Sequence, residues 1–553
     1  MADTRTGGRG WILGIIIFMM GGCGLAYEYT FSKIAADLLG NSVQQWAIVI
    51  AIMLFCMGMG AEIQRLVSNK RVISFLLGSQ LLLALLGGFG PLLMLWSFAH
   101  FPMHFGLVYY GLVSVIGTLI GFEIPLITRI NEDYSEDIRA NLARVLKMDY
   151  IGALVGALFW IFVLPVFFSL HEISYVLAMI TVASTLLCWF FFGRGGKSAM
   201  PVLACLGLTA STLGFGMSRS DRWSFAAEQA LYMDKVIFST TTKYQHIVLT
   251  ESRAGHLRCY INGHIQFSST DEAIYHENLV HPAMQLAGSR KRILVLGGGD
   301  GMAVREILKY PEVQEIVLVD LDPEMTRLAA EHPILSELNG HSLSNAKVTL
   351  VENQGSGEGE QTYQLELPNQ RRMTAPEVEM PQLTIINLDA SSYVNSAAGM
   401  FDVIILDFPD PSSPDLAKLY SAHFYGALKG KLAADGIMVQ QSTSPYRAKE
   451  AFLCIGRTME SVGYTAVPYH DHVPSFGEWG WWIASHSSQI SADSIKQAMR
   501  SVQKLPADTR YLTPALISNS LDFGKGALET EHRDVTTISH SAVLEYYLQG
   551  WKE

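Results

Sequence analysis

Long apolar segments fill the first 217 residues, and they constrain the fold more than any other feature of this sequence. An α-helix needs about 20 mostly apolar residues to cross the hydrocarbon core of a bilayer. The first segment runs on past Tyr27 without the small residues of a cleavage site, so we expect a retained span and not a signal peptide. The sequence therefore predicts a transmembrane helical domain over residues 1–217, in contact with the lipid bilayer. Its spans are expected at about 11–31, 45–64, 72–98, 105–128, 148–168, 173–193 and, as the shortest and weakest, 199–217.

The connections between these spans differ in charge. Arg and Lys precede the first span and recur after the second, fourth and sixth, whereas the connections at 36–44, 99–104 and 169–172 carry almost none. Because positively charged connections stay in the cytoplasm, this alternation places the N-terminus there, in a multi-pass protein of the cell membrane. Seven spans put the remaining residues on the outer side, and a re-entrant or interfacial seventh segment puts them in the cytoplasm. The sequence leaves both arrangements open.

The net charge and the cysteines argue against two classes of function. The net charge of −11 argues against nucleic acid as the main partner, because binding phosphates needs a basic surface. The same charge is compatible with cationic substrates. The six cysteines form no Cys-x-x-Cys pair, so we predict neither a disulfide framework nor a metal site.

A glycine loop after a buried strand marks the second half of the chain. Residues 292–296 read as the strand, Gly297–Gly301 form the loop, and a helix is predicted from Met302. This arrangement is typical of a nucleotide-binding corner. Met302 stands where a dinucleotide-binding loop has its third glycine, so NAD is disfavoured. The next strand, 315–319, ends at Asp320, which is placed to bind ribose hydroxyls.

Further strands alternate with helices and end in acidic residues. This alternation predicts a parallel sheet with ligands at the carboxyl ends of its strands, within an α/β domain over residues 291–520. The strands are Leu383–Asn387, followed by Asp389 and Ala390, then Phe401–Leu406, followed by Asp407 and Asp410, and then 436–441.

Three segments flank or interrupt this domain. Residues 225–290 contain period-two alternation and an Asn262-Gly263 turn signal, which predict a small β-hairpin subdomain and a connecting helix. Residues 353–382 lack periodicity and read as a surface insertion without catalytic function. Residues 521–553 form a C-terminal extension.

With these motifs in their order, residues 225–520 resemble spermidine synthases. The apolar N-terminal half matches the membrane-fused branch of that family. Departures from the family pattern at Phe408, Pro409, Ser413 and Tyr469-His470 border the amine pocket, so the amine acceptor is left open. The matching segments are Tyr244-Gln245, Asp271–Glu277, Gly297–Gly301, Asp320–Asp322, Asp407–Pro411, Leu419-Tyr420, Phe424-Tyr425, Gln441, Arg510-Tyr511 and Pro514.

The resemblance implies a Rossmann-like domain of the methyltransferase type and an aminopropyltransferase activity. The aminopropyl group moves from decarboxylated S-adenosylmethionine, the co-substrate, to the polyamine substrate putrescine, giving spermidine and methylthioadenosine. No permanently bound cofactor and no metal are implied. Asp410 is expected to accept the proton of the attacking amine, with Tyr275 orienting that amine. Asp300 is expected to pair with the ammonium of the decarboxylated donor and to repel the carboxylate of the intact one.

The family motifs also assign binding residues, each with a structural alternative. Tyr275 is also compatible with a core position, and Asp407 and Asp410 with turn-capping positions. His470 and His472 are expected to line a loop without binding metal. The implied donor-binding residues are Gln245, Gly297, Gly299, Asp300, Gly301, Asp320, Asp389, Ala390 and Asp407. The implied amine-binding residues are Tyr275, His276, Asp300, Asp410 and Gln441.

Two other functions fit parts of the sequence. The first is an S-adenosylmethionine-dependent methyltransferase on the same fold, against which Asp407–Pro411 and Tyr275 argue. The second is a polyamine transporter or sensor, kept open by Glu28 inside the first predicted span, where an acidic residue is costly and usually functional. The oligomeric state is left open, a homo-oligomer included.

Overall fold

The computed structural model describes most of the chain in two compact units. The units are Met1–Lys235 and Val236–Glu553. The described residues are 3–39, 42–132, 138–193, 199–344, 347–352, 362–364, 381–485, 490–505 and 508–551. Most of the predicted insertion 353–382 lies outside these ranges.

The N-terminal unit is a bundle of long apolar helices. Seven helical segments among the described residues are long and apolar enough to cross a membrane, as predicted. The helices are α1 (Asp3–Leu39), α2 (Ser42–Ile63), α3 (Val72–His100), α4 (Phe105–Gly121), α5 (Glu123–Glu132), α6 (Ile138–Phe162), α7 (Leu164–Phe167), α8 (Leu170–Cys188) and α9 (Ala199–Gln229).

The seventh segment was expected to be short, and this expectation was wrong. Helix α9 is 31 residues long, because the polar residues after Gly216 continue the helix instead of ending it. A helix of this length spans about 46 Å at 1.5 Å per residue, which exceeds the hydrocarbon thickness.

Glycines allow a close contact between two helices of this unit. Helix α1 packs along α6, and a Cβ atom added to Gly152 would lie 2.1 Å from the carbonyl oxygen of Phe18. A Cβ atom on Gly156 would lie 2.5 Å from the carbonyl oxygen of Gly22. Small residues of this kind let helix backbones approach closely, which is how apolar helices associate in lipid.

The C-terminal unit begins with a four-stranded sheet in the order β1-β2-β3-β4. Strands β3 and β4 are antiparallel and are joined by the predicted turn, in which Asn262 and Gly263 have φ angles of 50° and 81°. These positive values suit the tight turns that join antiparallel strands. The strands are β1 (Lys235–Thr241), β2 (His246–Glu251), β3 (Leu257–Ile261) and β4 (His264–Ser268).

A nine-stranded mixed sheet with helices on both faces forms the rest of the unit. Its order is β12-β13-β11-β10-β5-β6-β9-β7-β8, and its six central strands run parallel. The strands are β5 (Arg292–Gly297), β6 (Glu315–Asp320), β7 (Lys347–Glu352), β8 (Thr362–Gln364), β9 (Gln382–Asn387), β10 (Phe401–Asp407), β11 (Leu432–Gln441), β12 (Thr465–Val473) and β13 (Gly477–Ser485). The helices are α10 (Glu272–Leu286), α11 (Met302–Ile307), α12 (Pro323–Glu331), α13 (Pro333–Leu338), α14 (Ala390–Ser396), α15 (Pro414–Ala417), α16 (Ala422–Lys429), α17 (Lys449–Ser461), α18 (Ala492–Arg500), α19 (Pro514–Asn519) and α20 (Ala542–Gly550).

The expectation of a parallel sheet holds only for its centre. Strands β12 and β13 are antiparallel, and so are β13 and β11 and, at the other edge, β7 and β8. The link between β12 and β13 is only three residues long, and so short a link joins only antiparallel neighbours.

The central strands are buried on both faces, which explains their continuous apolar sequences. Ile293 and Val295 of β5 point into one core, whereas Leu294 and Leu296 point into the other. The chain continues from β5 to β6 on one side, while β10 lies on the other side. This change of direction opens a crevice at the carboxyl ends of β5 and β10, where ligands bind in such sheets.

Candidate active site

The glycine loop runs against the end of β10. Gly297 pairs in register with Asp407 and has a φ angle of 80°, which favours glycine. A Cβ atom at Gly297 would lie 2.1 Å from the carbonyl oxygen of Asp407, and one at Gly299 would lie 2.7 Å from the carboxyl carbon of Asp320. Glycine at these two positions therefore lets the strand ends approach one another. Gly301 is the N-cap of α11 in the same loop.

Asp320 at the end of β6 is held by backbone donors. The Gly299 amide donates to Oδ2 at 3.0 Å, and the Asp322 amide donates to Oδ1 at 2.9 Å. Burial raises the pKa of Asp320 to about 6, although these two donors oppose the change. The carboxylate is thereby fixed beside the glycine loop.

Gln245 reaches the same corner from the small sheet. Its side chain donates to Asp322, which also accepts a hydrogen bond from the Thr242 hydroxyl at 2.8 Å. Asp322 caps helix α12 by accepting from the Glu324 amide at 3.1 Å. Residues 242–245 are therefore joined by hydrogen bonds to Asp322, which follows the end of β6.

Asp300 lies beside a buried, positively charged His276. One oxygen of Asp300 accepts from the Met302 amide at 2.9 Å, and the other lies 3.9 Å from His276 Nε2. His276 Nδ1 lies 3.1 Å from a carboxylate oxygen of Glu272. Burial favours neutral His276, but the hydrogen bond to Glu272 and the charge of Asp300 outweigh it and raise the histidine pKa to about 9. His276 is 2% exposed, so its positive charge lies inside the protein, beside Asp300.

Glu272 is fixed by two arginines. Arg305 donates to both of its oxygens at 3.1 and 2.8 Å, and Arg510 donates to Oε1. Burial alone would raise the pKa of Glu272, but the hydrogen bonds and charges of His276 and Arg305 lower it well below its usual value. Glu272 is therefore ionised and keeps His276 protonated.

Tyr275 connects helix α10 to β10. Its hydroxyl donates to Asp407 Oδ1 at 2.6 Å, and its ring packs edge-on against Phe476 and obliquely against Trp481. Burial and the neighbouring Asp407 raise the pKa of Tyr275 well above its usual value. Tyr275 is thus a permanent hydrogen-bond donor. Burial raises the pKa of Asp407 to about 6, and the charge of His276 opposes this change.

Asp410 follows β10 and faces the end of β11. The Gln441 amide donates to Oδ1 at 3.3 Å, and the Thr443 hydroxyl donates to Oδ2 at 3.1 Å. Gln441 also donates to the carbonyl oxygen of Phe408 and to the hydroxyl of Tyr420. Burial raises the pKa of Asp410 to about 6, although these donors favour its ionised form.

The acids at three strand ends share one electrostatic environment. The charge of Asp300 acts on Asp320 and on Asp407, and the charges of Asp407 and Asp410 both act on Tyr275. The charges of Asp300 and Asp407 also act on His276, so the buried side chains of Tyr275 and His276 link the three acids.

Asp389 and Ala390 lie one strand further along, at the end of β9. Asp389 caps helix α14 by accepting from the Ser392 amide at 3.0 Å, and its other oxygen lies 3.1 Å from the Lys418 ammonium. Ala390 is buried in the core below that helix. Asp389 is therefore already bound by two protein groups.

His470 and His472 lie on strand β12, and the expectation of a loop position was wrong. Backbone pairing to β13 extends the strand through both residues, and His470 Nδ1 contacts Glu478 on that neighbouring strand. Among the described residues, no three His, Cys, Asp or Glu side chains converge on a metal-sized site.

Comparison with known proteins identifies the family. The family model of the spermine/spermidine synthase domain matches residues 272–363 and 370–496. Polyamine aminopropyltransferase 2 of Ralstonia nicotianae is 37% identical over 478 residues, covering 86% of this chain and 87% of the relative. The chain belongs to the polyamine aminopropyltransferase family. Polyamine aminopropyltransferase 1 of Streptomyces coelicolor is 35% identical over 561 residues, covering 100% of this chain and 97% of the relative, so its match includes the apolar N-terminal unit.

Two solved structures are similar to about half of this aminopropyltransferase-family chain. A crystal structure of spermidine synthase in complex with the transition state analogue AdoDATO is 22% identical, with a TM-score of 0.42, and covers 53% of this chain and 88% of that one. The spermidine synthase of Thermotoga maritima is 23% identical, with a TM-score of 0.41, and covers 53% and 87% of the two chains.

Two groups in the candidate site were missed from the sequence. Thr443 binds Asp410 from a backbone with a φ of 60°, which a threonine rarely adopts. Its only sequence signal is its position two residues beyond Gln441, at a strand end. The Arg305–Glu272–Arg510 group joins residues far apart in the chain, and nothing in the local sequence pairs them.

Proposed function

We propose that the C-terminal unit transfers the aminopropyl group of decarboxylated S-adenosylmethionine to putrescine, forming spermidine and methylthioadenosine. Membership of the polyamine aminopropyltransferase family supports the reaction class. The observation that carries the proposal is that Tyr275 donates a hydrogen bond to Asp407, while the charge of Asp410 acts on Tyr275 and that of Asp300 acts on Asp407. Such an acidic pocket suits a dicationic amine and a donor that ends in an ammonium group.

The glycine loop and the strand ends bind the donor nucleoside in this proposal. Asp320 accepts hydrogen bonds from the ribose hydroxyls, since two backbone amides already orient its carboxylate beside Gly299. Gln245 closes the same corner through Asp322. The adenine lies against Asp389 and Ala390 at the next strand end.

Asp300 selects between the two forms of the donor. Decarboxylation leaves an ammonium group where the intact methyl donor also carries a carboxylate. The Asp300 carboxylate attracts the first and repels the second, so the site disfavours ordinary methyl transfer.

Asp410 removes the proton that blocks attack. A primary ammonium has no lone pair, so the reacting end of putrescine loses a proton before its nitrogen attacks the aminopropyl carbon next to the sulfonium. That carbon–sulfur bond then breaks and methylthioadenosine leaves. Asp410 accepts the proton, and its raised pKa of about 6 makes it a stronger base while it remains ionised at neutral pH. Tyr275 and Asp407 orient the amine for in-line attack.

Product analysis tests this proposal. Purified full-length protein is incubated with either decarboxylated or intact S-adenosylmethionine and a panel of diamines. Methylthioadenosine and spermidine should appear in equal amounts, and only with the decarboxylated donor and an amine. S-adenosylhomocysteine from the intact donor would instead support the methyltransferase alternative.

We also propose that the N-terminal unit crosses the bilayer, with the N-terminus in the cytoplasm. Its seven apolar helices and the alternation of Lys and Arg support this arrangement. A cysteine introduced by Ala254→Cys in the exposed turn after β2, with Cys205 changed to Ser, reports the location of the C-terminal unit. Labelling of intact cells by an impermeant maleimide indicates the outer side, and labelling only after lysis indicates the cytoplasm, which is the side where the donor is made.

A further inference from the structure

The segment that follows helix α13 packs against the glycine loop. It comprises residues 339–343, and the side chains of Asn339 and Ser342 are buried, at 0% and 2% exposure. A Cβ atom added to Gly301 would lie 2.8 Å from the Ser342 hydroxyl and 3.1 Å from the amide nitrogen of the Asn339 side chain. The two polar side chains therefore lie directly against the loop, although neither belongs to a motif that carries the family resemblance.

Each of these side chains donates a hydrogen bond to a backbone carbonyl of the loop. Asn339 Nδ2 donates to the Asp300 carbonyl oxygen at 2.9 Å and to the Ala329 carbonyl oxygen of helix α12 at 2.8 Å. The Ser342 hydroxyl donates to the Gly301 carbonyl oxygen at 2.7 Å, and the Ser342 backbone amide donates to Asn339 Oδ1 at 3.2 Å. Asn339 thus joins the glycine loop to α12 and to its own segment.

Arg305 of helix α11 also holds this segment. Its guanidinium donates to the Leu338 carbonyl oxygen at 2.7 Å, and its backbone amide donates to the Gly301 carbonyl oxygen at 2.9 Å. Within the segment, the His341 amide donates to the Ser336 carbonyl oxygen at 2.7 Å. The segment is therefore fixed to the helix that begins at the glycine loop.

Asp300 lies in a stretch of backbone that cannot hold one conformation by itself. Three glycines precede it and Gly301 follows it, and glycine adopts many backbone conformations. Two contacts restrict this freedom: the carbonyl of Asp300 accepts from Asn339, and its side-chain Oδ1 accepts from the Met302 amide at 2.9 Å. The direction of the free Asp300 oxygen therefore depends on where Asn339 holds the backbone.

We propose that Asn339 is a positioning residue for donor binding, which fixes the Asp300 backbone so that its carboxylate meets the ammonium group of the decarboxylated donor. Ser342 supports this role by holding Gly301 and Asn339. The inference rests on the proposed function, because Asn339 acts only through the contact between Asp300 and that ammonium group. Methylthioadenosine carries the same nucleoside but lacks the ammonium group, so its binding should not depend on the direction of Asp300.

The binding of these two ligands to Asn339→Ala tests the role. Calorimetric titration of the full-length protein gives the dissociation constants of decarboxylated S-adenosylmethionine and of methylthioadenosine. We expect the decarboxylated donor to bind about fivefold more weakly, which is the contribution of a typical hydrogen bond, and methylthioadenosine to bind as it does to wild type. Equal weakening for both ligands would overturn the proposal, since Asn339 would then only maintain the fold of the loop. Unchanged binding of both ligands would overturn it as well.

A milder pair of variants is measured in parallel, because Asn339→Ala removes the donor of two carbonyls at once. Ser342→Ala removes the hydroxyl that binds the Gly301 carbonyl, whereas Ser344→Ala removes an exposed hydroxyl that donates to the His341 carbonyl at 3.2 Å. Ser342→Ala should weaken the decarboxylated donor more than methylthioadenosine, and Ser344→Ala should match wild type. The same affinities for Ser342→Ala and wild type would contradict the role of this segment.

A double variant shows whether Asn339 acts through Asp300. In the Asp300→Asn background, Asn339→Ala should cost the decarboxylated donor nothing further, because the carboxylate that it positions is already absent. A full additional fivefold loss, of the size that one hydrogen bond contributes, would overturn the proposal. Wild-type protein that forms no methylthioadenosine from the decarboxylated donor and a diamine would refute the proposed function itself, which the product assay shows independently of these binding ratios.

Discussion

At the scale of single residues, the acids of the crevice differ in the partners that hold them. Asp320 is held by two backbone amides, Asp407 by the Tyr275 hydroxyl, and Asp410 by the side chains of Gln441 and Thr443. Each has a pKa raised to about 6 by burial. Asp407 and Asp410 are thus held by side chains, whereas Asp320 is held by backbone amides.

Replacing Asp410 tests its role as the base. Asp410→Asn should lower kcat for methylthioadenosine release by about 10²- to 10⁴-fold, the usual contribution of a general base. Donor binding should persist, because the glycine loop and Asp320 are unchanged. Steady-state kinetics and calorimetric titration with the donor measure the two effects. Asp415→Asn, at an exposed position on α15, is the matched control and should retain wild-type turnover.

The Asp410→Asn variant also tests how the stability of the protein depends on pH. The folded-state pKa of Asp410, about 6, lies above its ordinary value of 3.8, so folding favours the protonated carboxyl. Its contribution to stability is fully present below about pH 4 and is lost as the pH rises through 6. Since asparagine does not ionise, the melting temperature of Asp410→Asn relative to wild type should rise between pH 5 and pH 7. A difference that stays constant with pH would show that Asp410 titrates normally.

At the scale of elements, the strands of the C-terminal unit and the helices of the N-terminal unit pack through different kinds of contact. Strands β5, β6 and β10 carry apolar side chains on both faces and so require helices on both sides of the sheet. Helices α1 and α6 instead meet through glycines, where backbone lies against backbone. In each unit, the residue types of an element therefore determine how it packs against its neighbours.

A methyl group added at the α1–α6 contact should disrupt it. The Cβ atom of Gly152→Ala would overlap the carbonyl oxygen of Phe18, so the two helices would have to separate. We expect a lower melting temperature in detergent and a smaller fraction of monodisperse protein after heating. Gly111→Ala on α4 is the control, because its Cβ atom would have no neighbour within 4 Å. Equal melting temperatures for the two variants would show that the α1–α6 contact does not limit the stability of the N-terminal unit.

At the scale of the whole molecule, the sequence predicted features that depend on local pattern and missed those that depend on distant partners. The seven apolar segments, the glycine loop and the acids at strand ends are local, and the structure contains each of them. The antiparallel edge of β12 and β13 was missed, because strand direction depends on which neighbour a strand meets. The packing of α20 against α15 and α17 was missed for the same reason. Asp389 was predicted from a motif, yet only the structure shows that it caps α14 and meets Lys418.

The central claim is that one acidic crevice accepts a decarboxylated donor and a diamine. The most direct test measures the products of wild-type protein supplied with decarboxylated S-adenosylmethionine and putrescine. We predict methylthioadenosine and spermidine in a one-to-one ratio, and no S-adenosylhomocysteine when the intact donor replaces the decarboxylated one. Methyl transfer from the intact donor, or no methylthioadenosine with any diamine, would contradict the account.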